Sequence, residues 1–324
     1  VLGFFARPAL RGPFFAAARF VRSTGIARLL AGGSRPRFLF GMLDATRPAA
    51  PTPAPLESES DSNPGTRGTV ALFTGCVMRG LFNHVHDATR RTLAANGFEL
   101  VNVPGQECCG ALHLHAGDRE GALRLAGENL SAFRDRADYI VVNSAGCGAM
   151  LREAGHLLDT AESRDIAARV RDVSELLAGV GPRAGAELPL GAAYDAPCHL
   201  QHAQGVHAEV LQLLSAVPGL RIELLEGHDQ CCGSAGIFSL LQPEMSRRVL
   251  ERKIGLMGAG RLPDLILTGN PGCLMQIGAG LLAAGLPARV AHPVEVLDWS
   301  YRAAGYYGTA ASTTALPVPD PQHA

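Results

Sequence analysis

The chain has 324 residues, of which 47% are hydrophobic and 18% charged, and its formal net charge is −1. This composition is typical of a globular protein long enough for two domains, and it lacks the basic surplus that a nucleic-acid-binding surface requires. The sequence has no run of 18 apolar residues, which excludes a membrane-spanning helix.

The amino-terminal residues 1–43 contain seven arginines and no acidic residue. Phenylalanines and leucines lie between the arginines, so one interpretation is a basic amphipathic helix that contacts a membrane surface or a partner subunit. A transit peptide and a connecting segment of a longer chain are the alternatives. Proline and small polar residues dominate 44–68 and 308–324, which predicts a disordered linker and a disordered tail.

Strand and helix patterns alternate from residue 69 onward. Short apolar runs predict strands, and each is followed by a segment of helical periodicity; in the first half these runs are "TVALFTG" (69–75), "FELVNVP" (98–104) and "DYIVVNS" (138–144). Asp118 is a suitable N-cap for the helix after the second run. The order then repeats, with strands predicted in 190–197, 220–226 and 263–270 and one helix across 199–217. This alternation predicts an α/β fold with parallel sheets and helices on both faces.

The eight cysteines form two matched sets. The first set is Cys76, Cys108, Cys109 and Cys147, and the second is Cys198, Cys231, Cys232 and Cys273. The first cysteine precedes the adjacent pair by 32 residues in one set and 33 in the other, and the last cysteine follows the pair by 38 and 41. We therefore predict an internal duplication with a period of about 120 residues, giving two similar Rossmann-like halves at 69–185 and 186–307.

The single cysteines of each set follow predicted strands, and the carboxyl ends of parallel strands are where open α/β sheets place their sites. Disulfide frameworks are typical of short secreted chains, so metal binding is favoured. Structural zinc usually takes cysteines two to four residues apart, whereas four thiolates per half match an iron–sulfur cube. Zinc in one or both sites remains the alternative. Gly110 and Gly233 would let the backbone approach inorganic sulfide, and helix N-termini would stabilise its charge.

Several polar residues near the cysteines are weaker candidates. His113, His115, His199 and His202 would either hydrogen-bond to the ligands or lie in solvent, and Asn143, Asp195 and Asn270 at strand ends would orient the cysteine loops. The sequence contains no G-x-G-x-x-G or Walker motif, so nucleotide binding is not expected.

The phrases "VPGQECCGALHLHAGD", "CHLQHAQG", "CCGSAGIFSLLQPEMS" and "NPGCLMQIGAG" resemble the cysteine-rich domain family, also called the CCG family, over about residues 69–303. The likeness is greatest to the C-terminal part of glycolate oxidase iron–sulfur subunits. It implies up to two [4Fe–4S] clusters, held by the eight cysteines, and no catalytic residues. The chain would relay electrons from FAD-containing subunits that oxidise glycolate to glyoxylate toward a membrane acceptor. It would lie in the cytoplasm, with peripheral contact to the inner face of the cell membrane as an option.

The sequence departs from the family pattern in two places. The fuller motif ends in C-x-x-C, but Met150 and Gln276 replace the second cysteine. Heterodisulfide reductase relatives use that fifth cysteine in disulfide cleavage, so its loss argues against such chemistry here and leaves it as an alternative. Glycolate oxidase subunits also carry an N-terminal ferredoxin-like part that this sequence lacks, so we expect either a fragment or a ferredoxin-like partner chain.

Overall fold

A computed structural model describes residues 2–5, 7–50 and 67–307. Each half of the chain from residue 69 forms one four-stranded parallel sheet. The first sheet has the order β2-β1-β3-β4, with β1 at Thr69–Leu72, β2 at Glu99–Val101, β3 at Tyr139–Val142 and β4 at Val170–Asp172. The second has the order β6-β5-β7-β8, with β5 at Gly191–Tyr194, β6 at Arg221–Glu223, β7 at Leu265–Leu267 and β8 at Arg289–Ala291. The matching orders confirm the predicted α/β class and the duplication.

Helices connect the strands of the first half, as parallel pairing requires. They are α5 (Val77–Leu81), α6 (Asn83–Ala95), α7 (Ala111–His115), α8 (Arg119–Phe133), α9 (Ala145–Leu158), α10 (Ala161–Ala168) and α11 (Val173–Val180). The predicted N-cap of α8 is confirmed, since the Asp118 carboxylate accepts a hydrogen bond of 3.0 Å from Gly121 N.

The second half repeats this arrangement with α12 (Cys198–Gln201), α13 (Ala208–Ser215), α14 (Phe238–Leu241), α15 (Pro243–Met257), α16 (Pro271–Ala283) and α17 (Pro293–Ala303). The single helix predicted across 199–217 is wrong. The chain leaves helical geometry between α12 and α13, where Gly205 adopts a left-handed conformation with φ of 69°.

The amino-terminal region forms α1 (Leu2–Phe5), α2 (Pro8–Ser23), α3 (Ile26–Leu30) and α4 (Arg35–Asp44). Helix α2 packs on α5, and α4 packs on α16. Packing continues past α4, because Thr46, Ala49 and Ala50 are buried. The first residues of the predicted linker 44–68 therefore belong to the packed body, and its residues 51–66 and the predicted tail 308–324 lie outside the described residues.

The two halves share a hydrophobic core, and the last helix of each half packs on a helix of the other half. Helix α11 of the first half packs on α13 of the second, while α17 of the second packs on α6 of the first. A buried ion pair joins the latter two helices, with Arg91 donating to both carboxylate oxygens of Asp298 at 2.9 and 2.7 Å. These contacts fix the orientation of one sheet relative to the other. None of the described helices combines the length and the apolar character that crossing a bilayer requires.

Candidate metal centres

The first cysteine set, called here the first site, lies at the carboxyl edge of the first sheet. Cys76 caps α5 after β1, Cys108 and Cys109 lie between β2 and α7, and Cys147 lies in the first turn of α9 after β3. The Sγ atoms of Cys76 and Cys108 are 3.5 Å apart, and both side chains are buried. Phe5 of α1 packs against these cysteines and excludes water from that side. The structure therefore brings the cysteines predicted from the first half together.

The second set, called the second site, occupies the equivalent edge of the second sheet. Cys198 begins α12 after β5, Cys231 and Cys232 lie between β6 and α14, and Cys273 lies in the first turn of α16 after β7. The Cys232 and Cys273 Sγ atoms are 3.2 Å apart. Cys198 and Cys231 are half-buried, so this site is more open than the first.

Each cysteine pair is followed by a glycine, and the backbone of the next long helix packs directly against that glycine. Gly110 and Gly233 have φ of 91° and 83°, a region that favours glycine. A Cβ at Gly110 would lie 2.9 Å from Ala122 O, and one at Gly233 would lie 2.4 Å from Ser246 O. Both glycines thus let the pair pack on the following long helix, α8 or α15, which is a different role from the predicted approach to sulfide.

The thiols of each site share protons through hydrogen bonds. Hydrogen bonds from Cys109 and then Cys76 hold the pKa of Cys108 well below its usual value. Hydrogen bonds from Cys198 and then Cys232 do the same for the pKa of Cys231. The pKa of Cys76 is raised by its hydrogen bond to Cys108 and by burial. Four such thiols cannot all ionise beside one another without a compensating cationic group.

The donor set fits an iron–sulfur cluster by its chemistry, since each site offers four thiols within one small volume. As placed, the sulfurs contact one another in pairs. Within 2–5, 7–50 and 67–307, no three His, Cys, Asp or Glu side chains are arranged around a position for one metal ion.

Different side chains hold the two cysteine pairs. In the first half, Asn129 donates to Cys108 O at 2.9 Å and accepts from Glu107 N at 2.9 Å. In the second half, the buried Lys253 ammonium donates to Gly227 O at 2.9 Å and to Gln230 O at 2.5 Å. Sequence reasoning missed both residues; the one signal for Lys253 is that it is the only lysine of the chain.

The polar strand-end residues named from the sequence take distinct positions. Asp195 pairs with Lys253, with 2.5 Å between Oδ1 and Nζ. Asn143 contacts His86 Nδ1 at 3.0 Å and donates to Thr89 at 2.8 Å, behind the first site. Asn270 reaches a cysteine, with its Nδ2 3.6 Å from Cys273 Sγ.

The four histidines named from the sequence lie at different depths. His113 is buried in the first half and His202 is exposed. His115 and His199 meet between the halves, with ring centroids 5.4 Å apart. His199 Nδ1 is 3.7 Å from Cys198 Sγ, so this pair borders the second site.

The two sites lie on either side of the boundary between the halves, where direct hydrogen bonds join them. The first turn of α9, which carries Cys147, is bound from the second half. Ala145 N donates to Gly269 O at 3.0 Å, Gly146 N donates to Asn270 Oδ1 at 3.1 Å, and Gln204 Nε2 donates to Ala145 O at 2.9 Å. Cys147 and Cys273 therefore lie on helix N-termini that are held together by direct hydrogen bonds.

Comparison with known proteins places these cysteines in a described family. The model of the cysteine-rich domain (CCG) family matches residues 70–152 and 192–278, and the two matched segments contain all eight cysteines. The probable glycolate oxidase iron–sulfur subunit of Bacillus subtilis (strain 168) is 36% identical over 246 residues, which are 73% of this chain and 55% of that protein. The glycolate oxidase iron–sulfur subunit of Escherichia coli (strain K12) is 28% identical over 243 residues, 71% of this chain and 57% of that protein.

A shorter relative matches over nearly its whole length. Lactate utilization protein A of Geobacillus kaustophilus (strain HTA426) is 32% identical over 236 residues, 71% of this chain and 98% of that protein. The chain thus spans little more than half of the two glycolate oxidase subunits and almost all of this one. On the duplicated sheets, the cysteine positions and these matches, the chain belongs to the cysteine-rich domain (CCG) family.

Proposed function

We propose that this chain is an iron–sulfur electron-transfer subunit of a flavin-linked oxidoreductase that oxidises a small 2-hydroxy acid, with glycolate as the first candidate. The observation that carries the proposal is the gathering of four thiols at the carboxyl edge of each sheet. Relatives named as glycolate oxidase iron–sulfur subunits support the same assignment.

Each site would hold one [4Fe–4S] cluster through its four cysteines, and a bound cluster supplies one-electron transfer. The protein's own residues position the thiols and limit solvent access. Phe5 covers the first site, while Asn129 and Lys253 fix the loops that precede the cysteine pairs. In this proposal the chain itself oxidises no substrate: partner FAD-containing subunits oxidise the hydroxy acid, and a ferredoxin-like domain or chain exchanges electrons with these sites.

Metal and sulfide analysis tests the cofactor. After anaerobic purification or reconstitution we expect about eight irons and eight inorganic sulfides per chain, with absorbance near 400 nm, from four irons per cluster. Stoichiometric zinc in place of iron would show that the site binds zinc instead of a cluster. A reconstituted protein without iron and without this absorbance would refute the proposal.

Lactate is the second candidate substrate of the complex, because the chain matches nearly the full length of a lactate utilization protein. Stopped-flow reduction of the reconstituted chain by its partner flavoprotein separates the candidates. Bleaching of cluster absorbance on addition of glycolate but not lactate supports glycolate, and the reverse supports lactate. No bleaching with any 2-hydroxy acid would refute this substrate class.

Disulfide reduction in the manner of heterodisulfide reductases is the alternative activity. The residues that replace the fifth cysteines are buried in packed positions: Met150 lies in the core of the first half, and Gln276 Nε2 donates to Ser246 Oγ at 3.0 Å. Both positions are therefore filled by buried side chains that supply no thiolate. Turnover of a disulfide by the isolated, cluster-loaded chain would support this alternative instead.

The amino-terminal helices present an apolar outer face beside the first site. Phe14, Phe20 and Leu29 are 56%, 70% and 79% exposed. The inward arginines are engaged with the protein: Arg11 pairs with Glu107 at 2.7 Å, and Arg22 donates to Leu81 O at 2.8 Å. We propose that this face lies on an anionic membrane surface, because Arg7, Arg28 and Arg35 are exposed and residues 1–43 contain no acidic residue. This placement would bring the first site toward a membrane acceptor.

A further inference from the structure

Asn270 is a single side chain that contacts both candidate sites. It precedes α16 and lies three residues before Cys273. Its Oδ1 accepts a hydrogen bond of 3.1 Å from Gly146 N in the first half, and its Nδ2 donates to Cys273 Sγ at 3.6 Å in the second. Gly146 is directly followed by Cys147. The amide group of Asn270 therefore connects the backbone next to Cys147 of the first site with the thiol of Cys273 of the second.

The hydrogen bond between Asn270 and Gly146 caps the N-terminus of α9, which has no side-chain cap of its own. The first N–H groups of a helix have no partner within the helix. Ser144, the residue before α9, makes no side-chain capping bond. The amide oxygen of Asn270 accepts one of these N–H groups from the other half of the molecule. The position of the Cys147 turn thus depends on a side chain of the second half.

The two halves differ at this position. When the last cysteines of the two sets are aligned, Asn270 corresponds to Ser144, since each lies three residues before its cysteine. The serine side chain is shorter than that of asparagine, so Ser144 cannot reach the second half as Asn270 reaches the first. The reciprocal amide bridge, from position 144 to the second half, therefore does not form with the residue present. The bridge is a property of one site only.

A hydrogen bond donated to a cluster-ligating sulfur stabilises the negative charge that reduction adds, and hydrogen bonds to sulfur are among the factors that set cluster potentials. We infer that Asn270 is a positioning residue that couples the two sites and raises the potential of the second. An electron shared between the two clusters would then spend more of its time on the second than it would without this hydrogen bond. This inference rests on the proposed function, in that both sites must hold iron–sulfur clusters.

Two substitutions separate the roles of the amide. Asn270→Asp keeps an oxygen that accepts from Gly146 N and replaces the donor to Cys273 with a second acceptor. Asn270→Ser installs the residue of the first half and removes both contacts. Gln212→Glu, at an exposed position of α13, is the matched control because it makes the same amide-to-carboxylate change in a helix that carries no cysteine. The Cys109→Ser variant, which lacks a ligand of the first site, assigns the signal of the second.

The measurement is an anaerobic redox titration at pH 8, followed by electron paramagnetic resonance, on the reconstituted full chain. In Asn270→Asp and Asn270→Ser we expect the ratio of reduced to oxidised second-site cluster, at a fixed potential, to fall about tenfold. That change is equivalent to a potential about 59 mV lower for a one-electron couple. The first-site potential and the iron content should match those of Gln212→Glu and the unmodified protein.

An unchanged second-site potential in Asn270→Asp, with both clusters present, would overturn the inference. Equal shifts at both sites would also overturn it, because they would reflect the added charge alone. Loss of second-site iron in both variants would make Asn270 a requirement for assembly and not a determinant of potential. Failure of the proposed function looks different, since the unmodified chain would then show no cluster signals at all.

Discussion

Replacing Lys253 with methionine removes a buried cation beside the second site. Its side chain is 1% exposed, its Nζ lies 2.5 Å from Asp195 Oδ1, and it donates to two carbonyls of the segment that precedes Cys231. Methionine keeps the length of the side chain and its apolar stem but supplies neither charge nor donor. The substitution therefore leaves Asp195 and the two carbonyl oxygens without their partner.

The cost follows from these contacts. Removal of one partner of a buried ion pair typically destabilises a protein by about 3–5 kcal/mol, and each lost hydrogen bond to a carbonyl adds roughly 1 kcal/mol. Burial raises the pKa of Asp195 to about 6 despite the opposing effect of Lys253. Without Lys253, the carboxyl group takes up a proton more readily, and the protonated form carries no unpaired charge. We therefore expect a loss of about 5–7 kcal/mol at pH 8 and a smaller loss at pH 5.

Urea unfolding of the apoprotein at both pH values measures this cost, and iron per chain measures its effect on the site. Arg248→Met, on the exposed face of the same helix, is the matched control. We expect Lys253→Met to keep the first-site iron and to lose most of the second-site iron, because the Cys231 loop is no longer held. Adding Asp195→Asn should recover part of the stability at pH 8. Equal stability of Lys253→Met and Arg248→Met at pH 8, or full iron content in both, would refute this reasoning.

Three further predictions address the sites, the interior and the surface. Cys232→Ser should lose about half of the bound iron, from four of eight irons per chain; loss of all iron would contradict independent sites. Burial raises the pKa of Glu295 from 4.5 to about 8, so the stability contributed by its protonated form is present at low pH and lost as the pH rises through 8. Glu295→Gln should therefore match the unmodified protein near pH 4 and exceed it by roughly 3–5 kcal/mol at pH 9, and parallel urea-unfolding profiles at all pH values would contradict this. Replacing Phe14 and Phe20 with serine should reduce co-sedimentation with anionic vesicles several-fold while iron content and stability are retained. The control Leu240→Ser, at an exposed position of the second half, should leave vesicle binding unchanged. Equal vesicle binding by the unmodified protein and both variants would exclude the proposed membrane face.

Local patterns predicted most of the fold. The strand runs ending near Cys76 and Cys147 are apolar and bounded by small or polar residues, and these short-range signals suffice to place cysteines at strand ends. The fourth strand of each sheet was not predicted, because Val170–Asp172 and Arg289–Ala291 are not part of a longer apolar run. The break at Gly205 was also missed, since an isolated glycine within a helical pattern is usually tolerated.

The sequence by itself determined the duplication, the α/β class and the two sets of four cysteines, because these depend on spacing along the chain. Only the tertiary structure decided how the halves meet. The amide of Asn270 reaches Gly146 across 124 residues, and Arg91 pairs with Asp298 across 207. Nothing in local periodicity specifies such pairs, since they result from the packing of whole helices and sheets against one another. The same holds for Lys253, whose place beside the second site follows from the burial of α15 and not from any motif around it.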